Sequence, residues 1–369
     1  MSNLDTTLQT SLLALFARHG FVRTDTDLLQ PVEAFLDLSG EDIRRRLYLT
    51  SDAQGTELCL RPEYTIPVAR AYIASDMQGS QAEFSYCGAV FRHRANEAGE
   101  FIQAGIESFG RDDLSATNSE VLALALETAG LMGVSQPITK IGDVSLIEAF
   151  SKALGVPAPF YRKLMRILAA NRSYTDAFTP IDDHDSQNGL SAYKGVLNAL
   201  KGTDPAEARA FVKDLLSIAG INSVGGRSTA DIATRFLAQS DAAETTLNDD
   251  NRQILEQFLS FEGNPDAVSL QLRKLAFDAK LDLNKTLDDF DAQTGFIAAS
   301  NIDVSSLEMQ TRFVRNLDYY SGFVFEITSF MSGKPLIAGG RYDRLLSRLG
   351  ARHTIPAIGF SSWLDRRAA

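Results

Sequence analysis

Cysteine is scarce in this sequence, and long apolar runs are missing. Only Cys59 and Cys87 are present among 369 residues, far too few for a disulfide framework, so we expect two buried, reduced thiols. No run of about eighteen apolar residues is present to cross a bilayer. Residues 1–20 are amphipathic and begin with an acidic residue, Asp5, as the first charged side chain, whereas a secretory signal peptide begins with basic residues and continues with apolar ones. These features predict a cytoplasmic protein.

Positive charge and metal-binding side chains are also sparse. The formal net charge is −11, which repels a polyanion unless the basic side chains gather on one face, so a dedicated RNA-binding function is disfavoured. The four histidines are dispersed, and the two cysteines do not form a CxxC pair. We therefore predict no structural or catalytic metal and no cofactor.

Apolar residues are numerous enough for a sizeable core. At 44% hydrophobic residues, the chain can form one large domain with an insertion or two ordinary domains. Residues 4–18 place leucines at helical spacing and predict an amphipathic helix that ends near Gly20. The segments RLYLTSD and TELCLRP predict a β-hairpin, and residues 62–75 predict a helix with proline in its first turn. The segments AEFSYCGAVFRHR and FIQAGIESFG alternate in polarity and predict an antiparallel strand pair.

The second half of the chain has a different pattern. Helix formers dominate from about residue 115 to 133 and from about 144 to 285, and strand character returns at RFVRNLDYYSGFVFEITSF, PLIAGG and PAIGF. Two strand regions separated by a long helical block are typical of an α+β sheet domain that carries an inserted helical subdomain. We predict a core of residues 1–150 and 300–369 and a mostly helical insertion at residues 151–299.

Five segments occur in the order and with the chemistry of class II histidyl-tRNA synthetases. They are LCLRPEYT, VFRHR with GEFIQAGIESFG, VRNLDYYSGFVFEI, AGGRYDRLL and AIGFSSWLDRR. The chain therefore resembles this family from about residue 20 to residue 367. The resemblance implies an α+β fold with a class II aminoacyl-tRNA-synthetase-like antiparallel sheet, flanked by helices and carrying a helical insertion. Pro31-Val32-Glu33 is similar to the first class II motif, which implies a homodimer.

The matched positions imply a pocket for histidine. A free amino acid presents an ammonium and a carboxylate, and histidine adds an imidazole, so a selective pocket needs acidic groups, a cation and a group that reads the ring nitrogens. By resemblance, the ligands are Glu63, Thr65 and Gln103 for the ammonium, Arg92 and Arg315 for the carboxylate, and Glu107, Tyr320 and Tyr342 for the imidazole. A carboxylate and a phenol on opposite sides of the ring distinguish imidazole from an aliphatic side chain.

Several of these residues also have a purely structural interpretation when taken alone. Glu63 lies at a strand-to-helix junction, where a carboxylate favours the helix N-terminus. Tyr319 and Tyr320 fit a half-buried strand, in which adjacent side chains point to opposite faces. Arg92 and Arg315 lie in strand-like sequence, where an isolated arginine is commonly solvated or ion-paired. The complete set favours an amino-acid pocket.

The sequence departs from the synthetases where histidine activation needs ATP. Only ANEAG connects the two strands of the second class II motif, where the synthetases have a longer loop with an additional arginine, and Glu97 and Glu100 add negative charge. Trp363 stands where the family has glycine, so an indole would fill the volume of an adenine in a degenerate nucleotide site that retains Arg366. The alternative is that Trp363 only packs the last helix into the core. Tyr64 replaces the glycine that follows the LRPE glutamate and adds bulk near the pocket.

The chain ends three residues after Arg366, where a synthetase continues into an anticodon-binding domain, so we expect no such domain and no tRNA or membrane partner. A synthetase-like core of this kind resembles the regulatory subunits of short-form ATP phosphoribosyltransferase. That resemblance implies no chemistry by the chain itself, a separate catalytic subunit as its partner, and histidine feedback on the first step of histidine biosynthesis. Two alternatives stay open: a compact histidine-activating enzyme, and an assembly scaffold whose inherited pocket binds nothing.

Overall fold

The structure is a computed structural model that describes residues 3–36, 46–95, 97–179, 247–315, 319–330 and 333–366, with the short pieces 210, 223–224 and 227–228. By its internal contacts the chain divides into two compact units. The first is Met1–Ala153 with Gln257–Ala369, and the second is Leu154–Glu256. The domain boundaries expected at residues 150 and 300 stay a prediction.

Helices account for much of the described chain. The α-helices are α1 (Asn3–Arg18), α2 (Glu33–Leu36), α3 (Thr65–Ala74), α4 (Leu114–Leu131), α5 (Val144–Ala153), α6 (Ala158–Ala169), α7 (Asp249–Ser260), α8 (Pro265–Asp278), α9 (Asn284–Ala299) and α10 (Leu345–Arg348). Short 3-10 helices cover Tyr174–Ala177, Val304–Ser306 and Leu364–Arg366.

The strands of the described residues form three sheets. They are β1 (Val22–Arg23), β2 (Leu29–Pro31), β3 (Leu49–Ser51), β4 (Glu57–Leu60), β5 (Ala82–Phe91), β6 (Glu100–Phe109), β7 (Pro137–Asp143), β8 (Ser223–Val224), β9 (Arg227–Ser228), β10 (Glu262–Gly263), β11 (Leu307–Gln310), β12 (Phe323–Ser329), β13 (Pro335–Arg341) and β14 (Ala357–Trp363).

A nine-stranded sheet dominates the first unit, with strand order β1-β5-β6-β14-β13-β12-β7-β11-β10. The predicted antiparallel sheet is confirmed through its centre, from β5 to β7. Parallel pairs between β1 and β5 and between β11 and β7 make the whole sheet mixed. The predicted hairpin is confirmed as β3 and β4, which belong to a smaller antiparallel sheet of order β2-β4-β3.

Helices cover one face of the large sheet. The ring of Phe16 on α1 lies 6.0 Å from the ring of Phe360 on β14, and α4 contacts β12, β13 and β14. Arg341 of β13 donates from Nε to Asn118 of α4 at 2.8 Å, and Asn118 donates to Gln293 of α9 at 2.7 Å. These buried hydrogen bonds thus connect this face of the sheet to α4 and α9. Helix α9 lies in the stretch expected to be the insertion, but it belongs to the same compact unit as the sheet.

Two local predictions differ from the structure. Helix α3 begins at Thr65 and not at residue 62, because the carboxylate of Glu63 accepts the first free backbone N–H groups of the helix. Strand β7 was not predicted from the sequence, yet it pairs with β12 along its whole length. Its segment PITKIGD is too short for its periodicity to indicate a strand, and the strand is formed by this long-range pairing.

In the second unit, α6 packs against the chain that follows it. The rings of Phe160 and Phe178 lie 5.5 Å apart, and Lys163 donates from Nζ to the carbonyl of Thr179 at 2.9 Å. Most of the helical block predicted between residues 180 and 246 lies outside the described residues, apart from the paired strands β8 and β9.

The described residues contain neither a candidate membrane-spanning helix nor a candidate metal-binding group. No helix among them is long and apolar enough to span a membrane. No group of three or more His, Cys, Asp and Glu side chains within these ranges is arranged to hold a metal ion, and the expected lack of a metal stays a prediction.

Candidate functional site

The face of the large sheet opposite α1 collects several of the predicted site residues. Glu107 of β6 pairs with Gly359 of β14, and Gln103 of β6 pairs with Trp363. Directly paired residues, and residues two apart along a strand, point to the same face. Phe360, whose ring meets α1, alternates with Gly359 and therefore points to the other face. The register thus places residues predicted to bind histidine beside the residue predicted to exclude a nucleotide.

Glu107 is the centre of this face. Its carboxylate is fully buried and accepts a hydrogen bond from the hydroxyl of Thr65 at 2.7 Å. The hydroxyl of Tyr342 donates to its other oxygen, and the hydroxyl of Tyr86 lies 3.5 Å from the first. Burial raises the pKa of Glu107 most, the nearby negative charge of Glu63 also raises it, and the hydroxyl donors lower it, so that the resulting pKa is about 8. A proton on this carboxyl group is therefore exchangeable near neutral pH.

Gly359 gives Glu107 its position. A Cβ atom added at Gly359 would overlap Oε2 of Glu107 and the carbonyl oxygen of Ile106. No other residue allows the carboxylate to lie this close to β14. The lack of a side chain at Gly359 thus leaves room for the carboxylate of Glu107.

Glu63 has the capping role that its position suggests. One carboxylate oxygen accepts the backbone N–H of Thr65 at 2.7 Å, and the other accepts that of Ile66 at 3.0 Å. Burial raises the pKa of Glu63, and the positive charge of Arg92 opposes that rise. The carboxylate therefore stabilises the start of α3, while its predicted contact with a ligand ammonium stays a prediction.

The two predicted carboxylate ligands are both engaged within the protein. Arg92 donates from Nε to the carbonyl of Pro62 at 2.6 Å, and burial lowers its pKa to about 10. Arg315 donates from Nη1 to Glu326 at 2.7 Å, and its buried Nε has no partner among the described residues. Each guanidinium group is therefore held by an acceptor within the protein.

The tyrosines of the YYSGFVFE segment precede the strand. Strand β12 begins at Phe323, so the alternative interpretation of Tyr319 and Tyr320 as residues of a half-buried strand does not apply. Both rings lie near Tyr342, with centroids 5.5 Å and 6.3 Å away respectively. The loop conformation allows both rings to approach one partner, which a strand would not. Burial raises the pKa of Tyr320 to about 12.

Trp363 lies buried on the site face, directly across from Gln103. The guanidinium of Arg366 lies 4.8 Å from the centre of the indole, and its Nη1 donates to the carbonyl of Pro335 at 2.9 Å. The indole belongs to the same buried apolar cluster as Tyr342. It therefore packs in the core and occupies the site face at once, so both interpretations of Trp363 agree with its position.

Tyr64 also covers this face. Its ring stacks on Tyr86 with centroids 4.3 Å apart and an interplanar angle of 7°, and the guanidinium of Arg61 lies 4.2 Å from its centre. A Cβ atom at Gly88 would overlap its hydroxyl, so the stack lies directly on the sheet. The bulk predicted for Tyr64 is accommodated by the absence of a side chain at Gly88 and fills space beside Tyr86.

A cleft of about 460 Å³ opens where the β5–β6 connection meets the end of β14. It is lined by Arg94, Glu97, Ala98, Glu100, Lys334, Asp365 and Arg366. Arg94 contacts Glu97 at 2.9 Å and Asp365 at 2.8 Å, and Lys334 forms an ion pair with Glu97. Two cations of the cleft are therefore paired with carboxylates of the chain itself.

Sequence reasoning missed three residues of this region. Tyr86 lies two residues before Gly88 on β5, so both residues point to the same face of the sheet. The predicted pairing of β5 with β6 could therefore have placed Tyr86 on the face of Gln103. Lys334 and Asp365 reach the cleft from separate segments. No local pattern indicated them, because their contacts with the β5–β6 connection arise only from the tertiary structure.

Comparisons with known sequences identify the family of the chain. The sequence profile of the histidyl-tRNA synthetase family matches residues 2–202 and 209–366. An ATP phosphoribosyltransferase regulatory subunit from Brucella canis is 38% identical over 345 residues, which cover 93% of this chain and 91% of that protein. One from Allorhizobium ampelinum is 36% identical over 357 residues, covering 96% and 95%.

Solved structures show the same fold. A protein from Bacillus halodurans described as an ATP phosphoribosyltransferase regulatory subunit/histidyl-tRNA synthetase matches with a TM-score of 0.68 and 22% identity, covering 98% of this chain and 77% of that one. Histidyl-tRNA synthetase from Nostoc sp. PCC 7120 matches with a TM-score of 0.64 and 17% identity, covering 98% and 70%. At these identities the likeness concerns the fold alone, and it confirms the predicted class II architecture.

Proposed function

The chain belongs to the histidyl-tRNA-synthetase-like family of ATP phosphoribosyltransferase regulatory subunits, and on this premise we propose that it switches on a separate, shorter catalytic subunit and makes that subunit sensitive to histidine. As a regulatory subunit, the chain is the non-catalytic part of its complex. The catalytic partner joins ATP to phosphoribosyl pyrophosphate in the first step of histidine biosynthesis. The names of the curated relatives do not favour the alternative of a compact histidine-activating enzyme.

The Glu107 cluster carries the histidine part of the proposal. A buried carboxylate is held between the hydroxyls of Thr65 and Tyr342, and the ring of Tyr320 lies 6.3 Å from that of Tyr342. Such a set supports recognition of imidazole, which donates from one nitrogen and accepts at the other. The remaining roles are those implied by the resemblance: Glu63, Thr65 and Gln103 for the ammonium, and Arg92 and Arg315 for the carboxylate.

The same face argues against histidine activation. A triphosphate needs cations that are free to bind it, and Arg94 and Lys334 are already paired with carboxylates. Trp363 occupies the site face where an adenine would lie flat on the sheet. We therefore propose that the nucleotide site is degenerate and that the chain performs no aminoacylation.

Feedback requires that histidine bind two states of the complex with different affinity, and the coupling must run in both directions. We propose that histidine reports through shifts at Glu107, Arg315 and Tyr320. The proposal includes a homodimer of this chain as the core of the complex and the cytoplasm as its compartment.

Calorimetry and activity measurements on the complex with its catalytic subunit test this proposal. Histidine should bind the wild-type complex and inhibit it. Glu107→Gln should lose most of both responses, because an amide has one oxygen, whereas the hydroxyls of Thr65 and Tyr342 donate to two. Glu127→Gln, a half-exposed carboxylate on α4, is the matched control and should behave as wild type. If saturating histidine leaves the wild-type complex fully active, the feedback part of the proposal is wrong.

A further inference from the structure

Two buried polar atoms without partners lie on paired residues of the site face. Trp363 and Gln103 are directly opposite each other across β14 and β6, and their side chains point to the same face. Trp363 is 7% exposed and Gln103 is 1% exposed. The indole Nε1, a donor, and the amide Oε1, an acceptor, are both buried and have no hydrogen-bond partner among the described residues.

A buried donor and a buried acceptor that are both unsatisfied are costly, because each loses its bond to water on folding. Phenylalanine and methionine would fill similar volumes without that cost. The pair is therefore better explained by a ligand that carries a complementary acceptor and donor on adjacent atoms than by packing.

We propose that Trp363 binds the carboxylate of a free α-amino acid through its indole N–H, beside Gln103, whose amide oxygen accepts from the ammonium in the proposed histidine pocket. This inference rests on the proposed histidine function and deepens it. The ammonium and carboxylate of an amino acid are attached to one carbon atom, which matches a donor and an acceptor on directly paired residues.

Charge at this end of the site favours one carboxylate over a phosphate. Arg366 lies over the indole, and its buried Nε has no partner among the described residues, so its guanidinium group can contribute positive charge beside Trp363. The cleft that Arg366 lines also contains Glu97, Glu100 and Asp365. These carboxylates repel a multiply charged phosphate more strongly than a zwitterion.

The inference changes the role of Trp363. The same side chain that fills the place of an adenine adds a hydrogen-bond donor for the amino acid. It also shares the carboxylate-binding role expected of Arg92 and Arg315, whose guanidinium groups are held by Pro62 and Glu326.

Trp363→Phe tests this role, because it keeps an aromatic ring and removes only the N–H and part of the indole. Calorimetry on the complex should show histidine binding weakened by about 10- to 100-fold, the range expected for a lost hydrogen bond to a charged group. Histamine, which lacks the carboxylate, should bind wild type and variant within about twofold. The melting temperature of the ligand-free variant should not fall by the amount that loss of a satisfied hydrogen bond would cause.

Gln103→Met provides the reciprocal test. It should weaken histidine and histamine, which carry the ammonium, and leave imidazole propionate, which lacks it, unchanged. The inference is overturned if Trp363→Phe binds histidine as tightly as wild type does, or if it loses histidine and histamine equally, as a packing defect would cause. Failure of wild type to bind histidine at all is a different result, which removes the proposed feedback function itself.

Discussion

Glu107 determines how the site should respond to pH. In the folded protein its pKa is about 8, whereas the ordinary value is 4.5. At a pH between these two pKa values, Glu107 is protonated in the folded state but has lost its proton in the unfolded chain. A state that binds more protons is weakened as the pH rises, so the contribution of Glu107 destabilises the fold progressively from about pH 4.5 and fully above about pH 8.

Glu107→Gln should remove this pH dependence, because the amide does not titrate. Urea unfolding of the free chain should show that the variant gains stability relative to wild type as the pH rises from about 5 to 8. Glu127→Gln should keep the wild-type slope. A parallel loss of stability in wild type and Glu107→Gln would contradict the assignment of a buried, protonated carboxyl group.

Gly359 is the second residue with a direct test. Gly359→Ala would force its Cβ against Glu107 and the backbone of Ile106, so we expect a loss of about 1–3 kcal/mol of stability together with weaker histidine binding. Gly295 of α9 has no atom within 4 Å of a Cβ position, and Gly295→Ala should instead add about 0.5–1 kcal/mol. Equal effects of the two changes on thermal unfolding would show that the close approach at Gly359 is not needed.

At the scale of elements, charged side chains of the β5–β6 connection form ion pairs within the cleft. Its ion pairs are partly exposed, so they contribute about 1 kcal/mol or less each. Their larger consequence is electrostatic, because Glu97 and Asp365 hold Arg94 and Lys334 and compete with any bound anion.

The double variant Glu97→Gln, Asp365→Asn should therefore bind inorganic pyrophosphate more tightly than wild type, with little change in unfolding temperature. The matched control is Asp112→Asn with Glu127→Gln, which removes the same net charge away from the cleft. Calorimetry should show tighter pyrophosphate binding by the first double variant than by the control. An equal gain in affinity for both variants would mean that net charge alone causes the effect.

The elements that the sequence predicted correctly have signals within one segment. The helix α1 and the pairs β3–β4 and β5–β6 are visible as periodicity and turns, and the structure confirms them. Strand β7 and the start of α3 depend on distant pairing and on a side-chain cap, which local pattern does not contain. The same holds for the site residues. Motif resemblance indicated Glu107 and Tyr342, whereas Lys334 and Asp365 come to line one cleft only in the folded chain.

At the scale of the whole molecule, apolar side chains are exposed on edge strands. Val22 of β1 is 66% exposed and Leu49 of β3 is 65% exposed, and each strand is at the edge of its sheet. An exposed apolar edge invites pairing with another chain. This supports the proposed homodimer, whose first-motif remnant at Pro31-Val32-Glu33 lies between these two strands in sequence.

Val22→Lys with Leu49→Lys should therefore shift the free protein from dimer to monomer in sedimentation velocity. Leu270→Lys with Phe277→Lys, which adds the same charge to exposed apolar positions of α8, should leave the dimer intact. A stable dimer in both variants would place the self-association surface elsewhere.

We propose that this chain is a regulator with a surviving amino-acid pocket and no working nucleotide site. The most direct measurement is phosphoribosyl transfer by a short ATP phosphoribosyltransferase catalytic chain, with and without this protein, and with increasing histidine. We predict activity that depends on this chain and falls with histidine, and no histidine-dependent ATP–pyrophosphate exchange by this chain alone. Catalytic activity that is indifferent to this chain, together with such exchange, would contradict the account.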